Sequence, residues 1–323
     1  KRQSLLTGRY GNALAWQSTN GEGRADSAEQ KVGAGARLQS DPDKNEPIAE
    51  LLAKQGFATF HAIATSYINN SGTVEGFARV VDPRDVPGFR SDLPGDALLV
   101  DTAVEELAAW WKPTQRLFLW GHLYDPHYPY LEGLEGEAGR GGDTIARYDA
   151  EVRRADQALG KLLDGLKRLG IVDDAVLVVT ADHGEDFVDE HGFSDHGYAP
   201  FLPATRVPLL IATPAGAAQV VAQPVSHIDV VPTVLSLLGI AAPTDLDGRS
   251  LAATVLDGDP PPERTIIVSV HPRGQPAAAG YAAIRGPFKL HADARGVAVA
   301  LYNYVEDHGE RINLIDAEAH VAE

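Results

Sequence analysis

Apolar positions along this chain fall into two recurring patterns, short unbroken runs and stripes that step by three or four, and their alternation predicts an α/β protein. Ala175 to Val179, followed by Thr180, has the β-branched weight of a strand buried on both faces. Phe57 to Thr65, Arg116 to Trp120 and Arg206 to Thr213 read as further strands. Between them Tyr148, Val152, Ala155, Leu159, Leu162, Leu166 and Leu169 form one stripe, which predicts a long helix closed by Gly170. Shorter helices are predicted at Glu46–Gln55 before Gly56 and at Asp101–Trp111. Another spans Val225–Leu238, opened by Ser226 and Asp229 at capping-box spacing. Lys1–Tyr10 reads as a short helix with Leu5 and Leu6 inward, ended by Gly8. Gln17 to Lys44 is polar throughout and predicts a mobile surface loop, and Val74 to Asp101 is turn-rich.

After the triple proline Pro260–Pro262 the pattern changes. Thr265–Val270, Tyr281–Ile284, Phe288–His291 and Val297–Tyr302 are short strand-like runs with turns between them, as a small antiparallel sheet requires. The predicted architecture is therefore a mainly parallel, mixed central sheet flanked by helices over residues 1–259. A small C-terminal α+β subdomain, built on the antiparallel sheet, follows over residues 263–323.

Ligands in open α/β sheets bind beyond the carboxyl ends of the strands. Asp182 and His183 stand at such an end, and a carboxylate beside a neutral imidazole is a usable pair of metal ligands. His191 and His196 follow in a loop of acids and glycines. Arg116–Trp120 leads in the same way to His122, Asp125 and His127, in a loop stiffened by Pro126 and Pro129. These tips are expected to bring Asp182, His183, His127 and His196 to one pocket. The plainer alternative for the first tip is a solvated acidic loop that happens to contain histidines. His61, inside a strand, reads as a packed core residue, and His227 as a residue at a helix cap.

Composition narrows the function classes. The 323 residues suffice for a large core, and 44% hydrophobic content with 32 Gly and 21 Pro suits a loop-rich globular enzyme. A formal net charge of -17 argues against a nucleic-acid partner. No apolar run approaches the roughly 18 residues that span a bilayer. With no Cys there are neither disulfides nor thiolate metal sites, which leaves the compartment open. The chain has no Met, even at position 1, and is expected to be a fragment or processed product.

At five places in order the chain resembles the sulfatases of the alkaline phosphatase superfamily. These are KRQSLLTGRY at the start, the His-x-x-Asp-Pro-His-x-Pro-Tyr loop at His122–Tyr130, TADHGEDF with the later HG and DHG and Arg206–Ile211, the segment VSHIDVVPTVLSLL with LDGRSL, and ALYNYVEDHGERINL. The resemblance implies a sulfate ester hydrolase in which Asp182 and His183 bind the metal. It implies that His127 contacts the ester group and serves as the acid, and that His196 takes a place where many relatives carry Lys or His. Arg2 matches the arginine that helps hold the nucleophile. His122 and Asp125 receive structural or supporting roles around the substrate.

One divalent cation is implied, calcium slightly ahead of manganese or zinc. The family nucleophile, a formylglycine made from Cys or Ser, would lie just before Lys1, as would the first-strand aspartates that complete the metal shell. On that reading this chain alone is inactive. The expected substrate is a small-molecule or glycan sulfate ester and the expected location periplasmic or secreted. Phe201-Leu202-Pro203 stands where the family usually has a Tyr-Glu pair, which leaves the substrate contacts there open. Two alternatives remain at this point. One is a phosphodiesterase, phosphonate hydrolase or phosphoethanolamine transferase on the same fold, since fold does not fix the anion. The other is a non-catalytic binding protein or inactive fragment.

Overall fold

The computed structural model describes residues 6–9, 16–18, 24–25, 38–40, 46–65, 74–90, 93–130, 144–187, 196, 199–270 and 280–318. The chain divides into two compact units, Arg2–Ala175 and Val176–Glu323.

In the first unit, helix α1 (Ile48–Lys54) leads into strand β4 (Ala58–Ile63), whose six residues are all buried. Strand β5 (Arg79–Val81) and strand β6 (Leu117–His122) lie parallel to β4 on either side, in register Phe60↔Arg79 and Phe60↔Leu119. A parallel trio needs crossovers, and the one between β5 and β6 contains helix α2 (Asp96–Trp110). Helix α3 (Thr144–Arg168) follows β6. Phe60, Val81, Leu99, Leu107, Ala158, Leu162 and Leu166 share the core, so the C-terminal part of the predicted stripe packs inward, while Val152 of its first half is exposed. Gly165 of α3 brings the backbone so close to α2 that a Cβ there would sit 2.6 Å from a Val104 methyl. His61 is a core residue, 1% exposed, with its ring stacked on Phe77 and Nδ1 donating to the Trp120 carbonyl at 2.9 Å.

Of the predicted first helix, residues 6–7 are helical, Leu6 is buried, and Gly8 has φ 68°. The polar stretch expected to be a loop instead contains three short strands, β1 (Trp16–Ser18), β2 (Arg24–Ala25) and β3 (Leu38–Ser40), paired antiparallel in the order β2-β1-β3. Strands of two or three residues are too short to show a period of two, so hydropathy had no pattern to reveal there.

In the second unit, strand β7 (Leu177–Thr180) pairs antiparallel with β8 (Leu209–Ala212), Thr180↔Leu209. β7 was expected to be buried on both faces, yet its four residues are half-buried, and Leu210 of β8 is 59% exposed. β8 is shorter than the apolar run that predicts it, because Pro208 has no N–H to give a ladder; its carbonyl instead accepts from Thr180 Oγ1 at 2.7 Å. One-turn helix α4 (Leu202–Thr205) precedes it.

The predicted helix after Val225 begins as a 3-10 turn, His227–Asp229, and continues as α5 (Val230–Leu237). Asp229 accepts from the Ser226, Arg249 and Arg264 N–H groups. Gly248 of LDGRSL is required by contact, since a Cβ would sit 1.8 Å from the Ile228 carbonyl oxygen. Helix α6 (Ala252–Asp257) follows, then β9 (Ile266–Val270), β10 (Gly280–Arg285), β11 (Phe288–Asp293) and β12 (Ala298–Asn303), an antiparallel meander in the order β12-β11-β10-β9. This is the C-terminal sheet that the alternating runs predict. The α/β class with a parallel sheet, flanking helices and an antiparallel C-terminal sheet is the fold of this chain.

Candidate active site

His183 leaves the end of β7 three residues after Thr180. Its Nδ1 is 2.9 Å from the Gly184 carbonyl oxygen, and an acceptor there requires the proton on Nδ1. The lone pair is then on Nε2, which faces Asp182 Oδ2 at 3.6 Å. Two atoms each about 2.0–2.5 Å from one cation can stand that far apart, so the donor set fits a shared ion. Both side chains keep under a fifth of their surface exposed. Among the described residues no group of three or more His, Cys, Asp or Glu is arranged to hold a metal, so the carboxylate-imidazole pair is what this chain's described part brings.

His196 is brought to the same place. Its ring stacks on that of His183, centroids 3.6 Å apart and planes at 24°, and its Nδ1 is 3.4 Å from Glu185 Oε1. Glu185 was not singled out in the sequence, although its position three residues after Asp182 in TADHGEDF was the available signal. Gly184 is constrained from behind the turn: a Cβ would meet the Pro203 carbonyl oxygen at 2.0 Å, while the Gly184 N–H donates to the Ala204 carbonyl at 3.1 Å.

The other strand tip belongs to the first unit. His127 Nδ1 is 2.7 Å from the Tyr128 carbonyl oxygen, which again requires a proton on Nδ1 and leaves Nε2 as the atom that can exchange one. The ring stacks on Tyr124 at 4.5 Å. Tyr130, buried and at φ 53°, anchors the loop edge-on against Tyr148. Asp125 Oδ1 accepts from Gly95 N at 2.7 Å and Asp96 N at 3.2 Å, capping α2. In return the fully buried Asp96 accepts from Tyr124 N at 2.7 Å and Asp125 N at 2.9 Å. Four hydrogen bonds thus fasten the loop carrying His127 to the start of a helix. They also explain why α2 begins at Asp96, ahead of the predicted Asp101.

Burial, reinforced by the nearby charge of Asp125, raises the Asp96 pKa to about 7, against the backbone hydrogen bonds that favour the carboxylate. His122 closes β6 opposite Ile63, and its carbonyl accepts from Ala64 N. Beside this loop is a cavity of about 260 Å³ lined by Thr65, Tyr124, Asp125, His127, Tyr128 and Glu151, among others. Arg2 and His191, also singled out in the sequence, lie outside the described residues.

The parallel sheet with flanking helices and the antiparallel C-terminal sheet define an α/β protein of alkaline phosphatase-like fold. The family model described as Sulfatase matches residues 1–240, and the chain belongs to that family. It is 34% identical over 145 residues to the multifunctional alkaline phosphatase superfamily protein PehA of Trinickia caryophylli, covering 42% of this chain and 28% of that protein. Over 144 residues it is 34% identical to arylsulfatase K of Bos taurus, covering 44% of this chain and 26% of that protein. These matches therefore span under a third of each relative's length. The structure of BT4656, solved with its substrate D-glucosamine-2-N,6-O-disulfate, superposes with a TM-score of 0.72 at 15% identity. The match covers 99% of this chain and 84% of that one. Members of the sulfatase family generally use a divalent metal ion and a formylglycine. Among the described residues no helix is long and apolar enough to cross a membrane.

Proposed function

We propose that this chain is part of a sulfatase that hydrolyses a small-molecule or glycan sulfate ester. Residues 1–259 are its catalytic domain and 263–323 its C-terminal subdomain. The observation that carries the reading is the Asp182–His183 pair, oriented for cation binding in a chain whose sequence matches the sulfatase family over residues 1–240. Asp182 and His183 would hold the divalent ion, which supplies positive charge to the ester oxygens. Calcium is preferred slightly over manganese or zinc for the carboxylate; the imidazole favours the latter two.

His127 contacts the ester and delivers the proton that the departing alkoxide needs, for which an imidazole is suited near neutral pH. His196, held between His183 and Glu185, is the second candidate for proton transfer. Arg2 would help hold the nucleophile. His122 and Asp125 support the His127 loop, Asp125 through its bonds to Gly95 and Asp96. The family resemblance favours a periplasmic or secreted location.

A phosphonate or phosphodiester substrate is the second reading, because phosphonate monoester hydrolases share this fold and a fold does not fix the anion. The test assays the full-length protein with nitrophenyl sulfate, a phosphonate monoester and a phosphodiester, beside Asp182→Asn. We expect sulfate ester turnover that falls at least a hundredfold in the variant, of the order expected when a charge-stabilising group is lost. Turnover of phosphorus esters alone would favour the second reading, and unchanged turnover in Asp182→Asn would refute the assignment of the site.

A further inference from the structure

The second unit buries a cluster of charges that the reaction as proposed does not use. Lys289 and Glu310 have side chains with no exposed surface, and Lys289 Nζ is 3.0 Å from Glu310 Oε1. His291 Nε2 lies 3.3 Å from the same oxygen, and Phe201 and Tyr302 flank the imidazole at 5.1 Å each. Removing two charges from water is costly, and an apolar pair of similar size would hold the sheet as well or better. Glu310 is also one of two non-glycine residues at positive φ among those described, 49°, a conformation a side chain adopts at some cost.

What the cluster does is visible in its remaining contacts. Glu310 Oε2 accepts a short hydrogen bond from the Leu202 N–H, the first amide of α4, and Lys289 Nζ reaches Thr205 Oγ1 at 3.4 Å. Both ends of the one-turn helix are thus held by the C-terminal sheet and the turn after it. The middle of that helix is the surface against which Gly184 is pressed, with the Pro203 carbonyl where a Cβ would be and the Ala204 carbonyl accepting the Gly184 N–H. A shift of α4 by a fraction of an ångström is therefore passed to the Asp-His-Gly backbone.

We infer that Glu310, set in place by Lys289 and His291, is a positioning residue for Asp182 and His183, acting through the Leu202–Thr205 turn. The inference rests on the reading of Asp182 and His183 as the metal pair. It gives the C-terminal sheet a part in cation affinity.

Two double variants separate positioning from packing. Lys289→Met with Glu310→Gln removes both charges but keeps an acceptor for the Leu202 N–H, and the amide can donate to His291. Lys289→Met with Glu310→Leu removes the acceptor as well. With calcium chloride as the probe in titration calorimetry, the Gln variant should bind within about threefold of the unmodified protein. The Leu variant should bind at least tenfold more weakly, as when a group that orients metal ligands is lost. Both should retain cooperative unfolding without calcium. Equal calcium affinity in the two variants would overturn the positioning role.

Should the Leu variant fail to fold, the unmodified protein supplies the test, because coupling is reciprocal. Calcium must then slow hydrogen exchange at the Leu202 amide as well as at Gly184, and unchanged exchange at Leu202 overturns the proposal. Failure of the underlying reading looks different: no calcium binding by the unmodified protein, or unchanged affinity in Asp182→Asn. Either result removes the metal pair, and the positioning role with it.

Discussion

Two buried residues of the first unit titrate in opposite senses. Asp96, raised to about 7, keeps its proton in the folded chain where the unfolded carboxyl has lost it, so its contribution to stability falls as pH rises from about 4 to 7. His61 is lowered by burial to about 4, against the bond to the Trp120 carbonyl, and stays neutral where the unfolded imidazole is charged. Its contribution is lost as pH falls from about 6.5 to 4. Each effect is of order 3–4 kcal/mol over its range, and between about pH 4.5 and 6 they offset one another. Urea unfolding should therefore show stability rising with pH in Asp96→Asn, relative to the unmodified protein, and falling in His61→Phe. Parallel curves for all three would contradict both assignments.

His127→Ala tests a single residue of the proposed reaction. Turnover should fall most for alkyl sulfates, whose leaving groups need a proton, by about 10²–10⁴-fold, and least for nitrophenyl sulfate. Equal losses on both would make His127 an anion binder. At this scale the sequence was informative about polar residues at strand ends, where an acid or imidazole has no packing role. It was silent about Lys289, Glu310 and Asp96, because a charged residue in a sequence looks the same whether it faces solvent or a buried partner.

Helix α3 shows how much an element's pattern discloses. Its apolar stripe was legible over seven positions: Leu162 and Leu166 are buried as that stripe requires, whereas Val152 is exposed and Glu151 and Ala158, outside the stripe, are buried instead. The two glycines within it look alike in sequence and differ in contact. A methyl group added at Gly160 would have nothing within 4 Å of it, whereas at Gly165 it would strike Val104. Gly160→Ala should stabilise the protein by roughly 0.5–1 kcal/mol through helix propensity, and Gly165→Ala should destabilise it by about 1–3 kcal/mol through overpacking. Thermal unfolding of the two variants, with Tm moving in opposite directions, checks the packing of α3 on α2. Element ends were less legible. The start of α2 is set by Asp125, thirty residues away in the chain, and a cap supplied from such a distance leaves no local signature.

For the molecule as a whole, the α/β class and the family were legible because several separate motifs occur in order, each tied to a strand end, a cap or a turn. Most of those motifs have a visible mechanical reason here: Gly248 beneath the Ile228 carbonyl, Asp229 collecting three N–H groups, and Asp307 Oδ2 accepting from Arg311 and Ile312 in the turn that carries Glu310. The antiparallel pairing of β7 with β8 was not legible, since two short apolar runs carry no mark of relative direction.

The hydrogen bond from Leu202 to Glu310 joins residues 108 apart in the sequence. During synthesis, at about 5–20 residues per second, the ribosome takes on the order of 5–20 s to travel that distance. Through that interval the nascent chain already carries Asp182, His183 and Gly184, but not the carboxylate that finishes the backing of their turn. The native shape of the Asp-His-Gly turn is thus a late event in the life of this polypeptide, reached only after residue 310 has emerged and β11 has delivered Lys289 to meet it.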